Sequence, residues 1–216
     1  MKIDGEYTFD APQELVWQAL RDPDVLGSVL PGGEGIAEIG ENEYEGDLKI
    51  KIGPVQGKFK GNIKLLDVVA PESYRMEVDG KGAPGFVKAT GSLKLTGQGE
   101  QTHMVYDGDA QVGGRIASVG QRLMDTSAKA IIRQTLEALN EYLKVQAAAR
   151  AANAPEEEVA EVVAKAPVPE YVPPSQAQLA ANVAKDVASE LIPAKYRPLL
   201  IVAAIIIVIL ILLAIF

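Results

Sequence analysis

Between residues 44 and 113 apolar and polar side chains alternate with a period of two, and just after Gly113-Gly114 the period changes to 3.6. That switch restricts the fold more than any other feature. The apolar rows are Leu48, Ile50 and Ile52; Phe59, Gly61, Ile63 and Leu65; Tyr74, Met76 and Val78; Val87, Ala89, Gly91, Leu93 and Leu95; and Met104, Tyr106, Gly108, Ala110 and Val112. Turn signals at Gly53-Pro54, Ala70-Pro71, Ala83-Pro84 and Gly97-Gln98-Gly99 separate them. This pattern predicts an antiparallel sheet with one wet face. The helical stretch that follows places Ile116, Val119, Gly120, Leu123, Met124, Ser127, Ile131, Ile132, Leu136, Leu139 and Leu143 on one side of a single long helix. Such a stripe must be covered, and the inner face of the sheet is the partner on offer, so the expected class is α+β: a curled antiparallel sheet gripping a C-terminal helix.

Upstream, Ile3, Gly5, Tyr7 and Phe9 alternate with polar residues as in a half-buried strand. Asp10 is the expected cap of a short helix with Pro12 in its first turn and Leu15, Val16, Ala19 and Leu20 on one side. The stretch DPDVLGSVLPGGEG reads as a loop with one short helical turn.

Three regions are expected in the 216 residues: a domain over 1–146, an Ala/Pro/Glu-rich linker with short helical segments over 147–198, and a transmembrane tail anchor over 199–216. The last region reads LLIVAAIIIVILILLAIF, without a charged or polar side chain, and a helix of that length reaches about 27 Å, enough to cross a hydrocarbon core. Lys195 and Arg197 precede it, so the expected layout is a single-pass C-terminal anchor with the N-terminal domain cytoplasmic. Asp4, Glu6 and Asp10 stand where a secretory leader would need a basic start and an apolar run.

Composition narrows the chemistry. With no cysteine and one histidine, thiolate chemistry and His-rich metal sites are excluded, and no metal site is expected. A net charge of −8 argues against nucleic acid as a partner. The stretch from Gly80 to Gly85 fits G-x-G-x-x-G, but a strand pattern follows it rather than the helix a nucleotide site needs, so a hairpin bend is expected. His103 falls on the wet face, and no serine or threonine has a paired histidine base, so no catalytic residue is assigned. Lys49, Lys51, Lys58, Lys60 and Lys64 share one face, readable as a solvated sheet surface or as a dock for anionic headgroups or an acidic partner. The small residues Gly5, Gly61, Ala89, Gly91, Gly108, Ala110, Ala117 and Gly120 line both walls of the expected interior, which favours a cavity suited to a lipophilic ligand.

Taken together, DPDVLGSVLPG, GPVQGKFKGNIKL, GKGAPGFVKATGSLKL and YDGDAQVGGRIASVGQRLMDTSAKAII resemble the CoxG family associated with carbon monoxide dehydrogenase, within the START-like, SRPBCC or helix-grip superfamily that includes Bet v 1-like folds. The resemblance covers residues 1–146. Family members often carry a cysteine after the Pro-Gly of the first loop, where this chain has Gly33. The resemblance implies a membrane-associated accessory protein without redox groups of its own, whose partner is a molybdenum hydroxylase-type CO dehydrogenase. Joined to the apolar tail, it gives the expectation of a non-enzymatic protein that recruits the dehydrogenase to the bilayer and holds a membrane quinone, menaquinone or ubiquinone, linking the enzyme to the respiratory chain. The residues expected to line the cavity are Leu20, Leu26, Leu30, Phe59, Met76, Phe86, Tyr106, Val119, Gly120, Leu123 and Met124, with the loop 26–35 and the turn at Gly113-Gly114 as its mouth. On that expectation a large residue at Gly120 blocks uptake. A pure recruitment tether without a ligand is the alternative. An enzyme of the helix-grip type would need inward acids or bases, and the alternation supplies little beyond Tyr7, Tyr74 and Tyr106.

Overall fold

Each alternating row folds as a strand. The computed structural model describes residues 1–151; the expected linker beyond them and the expected anchor over 199–216 lie outside the described residues. The chain runs β1 (Lys2–Phe9), α1 (Gln13–Ala19), α2 (Pro23–Val29), β2 (Gly33–Gly40), β3 (Glu43–Ile52), β4 (Val55–Val69), β5 (Ser73–Gly82), β6 (Gly85–Gln98), β7 (Gln101–Gly113), a 3₁₀ turn (Arg115–Val119) and α3 (Gln121–Ala151). All strands are antiparallel in one sheet of order β1-β7-β6-β5-β4-β3-β2, so consecutive strands pair through hairpins except β1, which closes onto β7. Among the described residues no helix is long and apolar enough to cross a membrane.

Four local expectations are corrected. The stretch after Arg21 is no loop with a single turn but the seven-residue α2, because Asp22 accepts from the backbone N–H groups of Asp24 and Val25 at 2.9 and 3.2 Å and Pro23 occupies the first helical position. Asp10 does not cap α1; Pro12 holds that position without a side-chain cap, and the Asp10 carboxylate is used elsewhere. The edge strand β2 has no counterpart in the expected rows, since its pairing with β3 shifts between Glu34 and Ala37 and again between Glu38 and Gly40, which destroys a clean period of two. Finally, the long helix begins at Gln121 and not after Gly114. Gly114 and Gly120 take φ of +86° and +91°, left-handed values that end the strand and then interrupt helical phase, leaving a 3₁₀ turn between them.

That interruption divides the core. Ile116 buries itself with Ile52 and Phe59, with Val119 and Leu123 packed alongside. The larger cluster lies toward the far end of α3, where Leu136, Leu139 and Leu143 meet Phe9, Val16, Trp17, Tyr74, Leu95 and Met104. Leu139 and Leu143 are 1% and 0% exposed, so each contributes roughly 1.5–3 kcal/mol of transfer free energy, more than any surface ion pair on this helix. A buried polar clasp fixes the register: Asn140 Oδ1 accepts from the Asp10 N–H at 2.8 Å, and Asn140 Nδ2 donates to Asp10 Oδ2 at 3.2 Å. Gln101 Nε2 donates to the other Asp10 oxygen at 2.8 Å, and Lys144 Nζ stands 3.4 Å away.

Asn140→Ala removes both clasp bonds and is expected to cost about 1–3 kcal/mol, read as a lower urea midpoint at unchanged slope. The hydrogen bonds from Gln101 and Asn140 hold the Asp10 carboxyl below its ordinary range. Because the folded pKa is the lower one, this contribution is complete above the unfolded value and lost as pH falls through the folded value. The stability gap between the natural chain and Asp10→Asn is therefore expected to close on acidification through that window, and a gap independent of pH would refute the assignment.

Candidate functional site: an apolar cavity beneath the helix

Between its two attachments α3 passes over the middle of the sheet, and there the sheet carries little side-chain volume. Register explains this. Gly91 of β6 pairs with Gly108 of β7, Met76 of β5 lies opposite Gly91, and Ile3 of β1 lies opposite Gly108. A row across four strands thus has two glycines at its centre. The backbones also close up at this point, since a Cβ on Gly108 would stand 2.6 Å from the Thr90 carbonyl oxygen.

The result is a cavity of about 380 Å³. Its floor is Ile63, Leu65, Tyr74, Met76, Val78, Ala89, Gly91, Leu93, Met104, Tyr106 and Gly108; its roof is Ile132, Thr135 and Leu136; Leu20, Leu26, Leu30, Ile36 and Tyr44 close one flank. Thr90, Ser92, Asp107 and Asp109 border the Gly91–Gly108 gap from strand positions that alternate toward the outer face, where Ser92 Oγ donates to Asp107 Oδ1.

The wall is almost wholly apolar. Thr135 Oγ1 is used up on the Ile131 carbonyl at 2.9 Å, and the Tyr44 hydroxyl donates to the Arg21 carbonyl at 3.1 Å. The Tyr106 ring lies across Gly5, whose missing Cβ makes the room. Burial pushes the phenols of Tyr44, Tyr74 and Tyr106 above their ordinary value, so all three are neutral at physiological pH. Among the described residues no group of His, Cys, Asp or Glu side chains could hold a metal ion.

Of the residues expected on the wall, Leu20, Leu26, Leu30, Met76 and Tyr106 are there. Phe59, Val119 and Leu123 belong to the smaller cluster with Ile116 instead, and Met124 is buried away from the cavity. Phe86 is 41% exposed and on the outer face, its ring beside Gly113. Gly120 is exposed, with open space around the direction of a Cβ. These misplacements share one cause: an unbroken helix would have laid its first turns over the small residues of the sheet, whereas the break at Gly120 moves that place along to Ile132 and Leu136. Leu26 and Leu30 put the loop 26–35 at the cavity, while Gly113-Gly114 does not touch it.

Other motifs settle locally. Gly82 pairs with Gly85 in the β5–β6 hairpin, the bend expected of the G-x-G-x-x-G stretch. His103 is on the outer side of β7, near Thr8 Oγ1 at 3.4 Å and Glu6 Oε2 at 3.7 Å. The lysine face is neutralised: Lys49 and Lys58 meet Glu34 at 2.5 and 3.2 Å, Lys58 also meets Asp47 at 2.8 Å, Lys60 meets Glu45 at 2.7 Å and Lys64 meets Glu43 at 2.6 Å. It is an ion-paired sheet surface.

The sequence model of the carbon monoxide dehydrogenase family CoxG matches residues 5–144. The chain belongs to that family. Among solved structures, a conserved protein from Geobacillus kaustophilus is 34% identical, with a TM-score of 0.64 over 67% of this chain and 95% of that one. A START superfamily protein from Mycobacterium smegmatis (13% identity, TM-score 0.52, 66% of this chain and 97% of that one) shares the fold. So does the Zhui aromatase/cyclase from Streptomyces sp. R1128 (16% identity, TM-score 0.50, 67% and 93%). No curated protein matches the chain. The fold of this CoxG family member is therefore START-like, a curled sheet with a C-terminal helix, and in its relatives as here the space between the two is where differences of function can lie.

Ala89 tests the cavity directly. Its Cβ faces the void from an inner strand position, so Ala89→Phe is expected to fold with near-natural stability while occupying the space. Uptake of an apolar fluorescent probe should fall at least about tenfold. Gly120→Val, by contrast, strains a φ of +91° and should lower stability without changing uptake.

Proposed function

We propose that this chain is a membrane-anchored accessory protein of a molybdenum CO dehydrogenase, which it recruits to the bilayer, and that it holds a membrane quinone in the cavity beneath α3. The observation that carries the reading is the cavity itself, about 380 Å³ and walled by aliphatic side chains, within the usual range of small-molecule sites of ~300–1,000 Å³. A quinone leaving the bilayer exposes its tail to water at roughly 0.8 kcal/mol per CH₂, and an aliphatic wall offsets that cost. Family membership supports the dehydrogenase as partner, and the apolar run over 199–216 supports a membrane location with the domain facing the cytoplasm.

The reading is of a carrier rather than a catalyst. START-like relatives include an aromatase/cyclase, so the fold alone does not decide. What favours a carrier is the wall: its ionisable side chains pointing inward are phenols that burial keeps neutral.

The test is mass spectrometry of organic extracts from the full chain purified out of membranes, beside the Ala89→Phe variant. Stoichiometric quinone in the natural chain and none in the variant would assign the ligand to the cavity. Equal quinone in both would place it around the apolar tail, and none in either after incubation with quinone-loaded vesicles would leave a recruitment tether.

A further inference from the structure

One polar group on the cavity wall is left without a partner. Tyr74 is 4% exposed, yet its hydroxyl makes no hydrogen bond among the described residues, whereas Tyr44 and Thr135 on the same wall each satisfy theirs on a backbone carbonyl. Buried hydroxyls in native proteins are rarely left so. The ring itself is firmly placed: Trp17 meets it edge-on with centroids 5.7 Å apart. The Arg21 guanidinium lies over the Trp17 ring at 5.6 Å. Arg21 gives Nη2 to Asn42 Oδ1 at 2.7 Å, has a buried Nε without a partner, and forms no ion pair among the described residues. An uncompensated positive charge and an unused O–H therefore share one end of an otherwise apolar chamber.

We propose that the Tyr74 hydroxyl is the polar anchor of the cavity, donating a hydrogen bond to an acceptor oxygen on the head of an otherwise apolar ligand. The neutral phenol donates, and the arginine behind it favours a head that carries partial or full negative charge, a carbonyl or a carboxylate. Strand register sets the ligand's direction. Along β5 the inner row runs Tyr74, Met76, Val78, opposite Leu93, Gly91 and Ala89 of β6. The head thus lies at the Trp17 end and the tail crosses the open floor over Gly91 and Ala89. This orientation rests on the carrier reading above, but the anchor serves any lipid with such a head.

Trp17 is the chain's single tryptophan and touches Tyr74, so quenching of its fluorescence reports a head seated at the anchor. The full chain in detergent micelles is titrated with three probes: a naphthoquinone with a short prenyl tail, the naphthalene with the same tail and no carbonyls, and oleate. Tyr74→Phe keeps the ring and removes only the hydroxyl. It is expected to weaken the quinone probe roughly 5- to 150-fold and to leave the naphthalene probe within about twofold. If the quinone binds both forms equally, or if both ring probes weaken alike, the anchor is overturned while the carrier reading stands. If oleate binds and depends on Tyr74 while the quinone probe does not bind the natural chain, the anchor stands and the quinone reading falls. Binding of no probe to the natural chain overturns both.

Discussion

The arrangement depends on α3 being held at two places and covering a sheet that is hollow between them. At one end the 3₁₀ turn buries Ile116 against Ile52 and Phe59; at the other Leu139 and Leu143 disappear into the main core and Asn140 locks onto Asp10. Neither attachment can be moved to fill the middle, because the Gly120 break and the Asn140 clasp fix the helix in phase and in height. The paired glycines of β6 and β7 supply no side chains to rise and meet it. A chain shaped only by stability would put larger residues at Ala89 or Gly91 and gain dispersion contacts. Leaving that volume open costs stability, and the stability is recovered in the two clusters that flank it.

Charge is distributed to the same end. The lysines of β3 and β4 look like a basic stripe when read along the chain, but β2 and β3 bring Glu34, Glu43, Glu45 and Asp47 beside them. These pairs are exposed, so they add little to stability; their effect is to cancel a local field in a chain of net charge −8. The outer face is left as a neutralised ladder and the inner face has no ionised wall. Selectivity inside must then come from shape and from the few hydroxyls that reach the cavity.

Most of the architecture was legible because strands announce themselves by a period of two and each inner row of β4 to β7 was visible as such. The cavity's floor followed from the same rows: Met76 and Tyr106 could be placed on it from alternation alone. What was not legible was where along α3 the roof sits. Ile116 to Leu143 keep a helical period straight through Gly120, and nothing in that period shows that one residue takes φ +91° and restarts the helix. The consequences were Phe59, Val119, Leu123 and Met124 placed on the wall when they pack elsewhere. Phe86 misled for a different reason: it stands next to the inner residue Val87, and a large aromatic invites burial, but parity puts it outside. The edge strand β2 and the helix α2 were obscured by bulged pairing in one and by glycine in the other.

Tyr74 shows how one environment produces both the apolar character of the site and its specificity. Burial raises the energy of a phenolate, so the hydroxyl keeps its proton at any physiological pH and cannot act as a base. The same burial excludes water that would otherwise satisfy the O–H, so a ligand oxygen meets little competition for it. A fold that hosts proton-transfer chemistry elsewhere would need an inward group poised near neutral pH, whereas a carrier needs the opposite, a group that recognises a head and leaves it chemically unchanged. A neutral donor at the closed end of an aliphatic chamber meets that second requirement, and the desolvation that disables it as a base is what makes it selective as a donor.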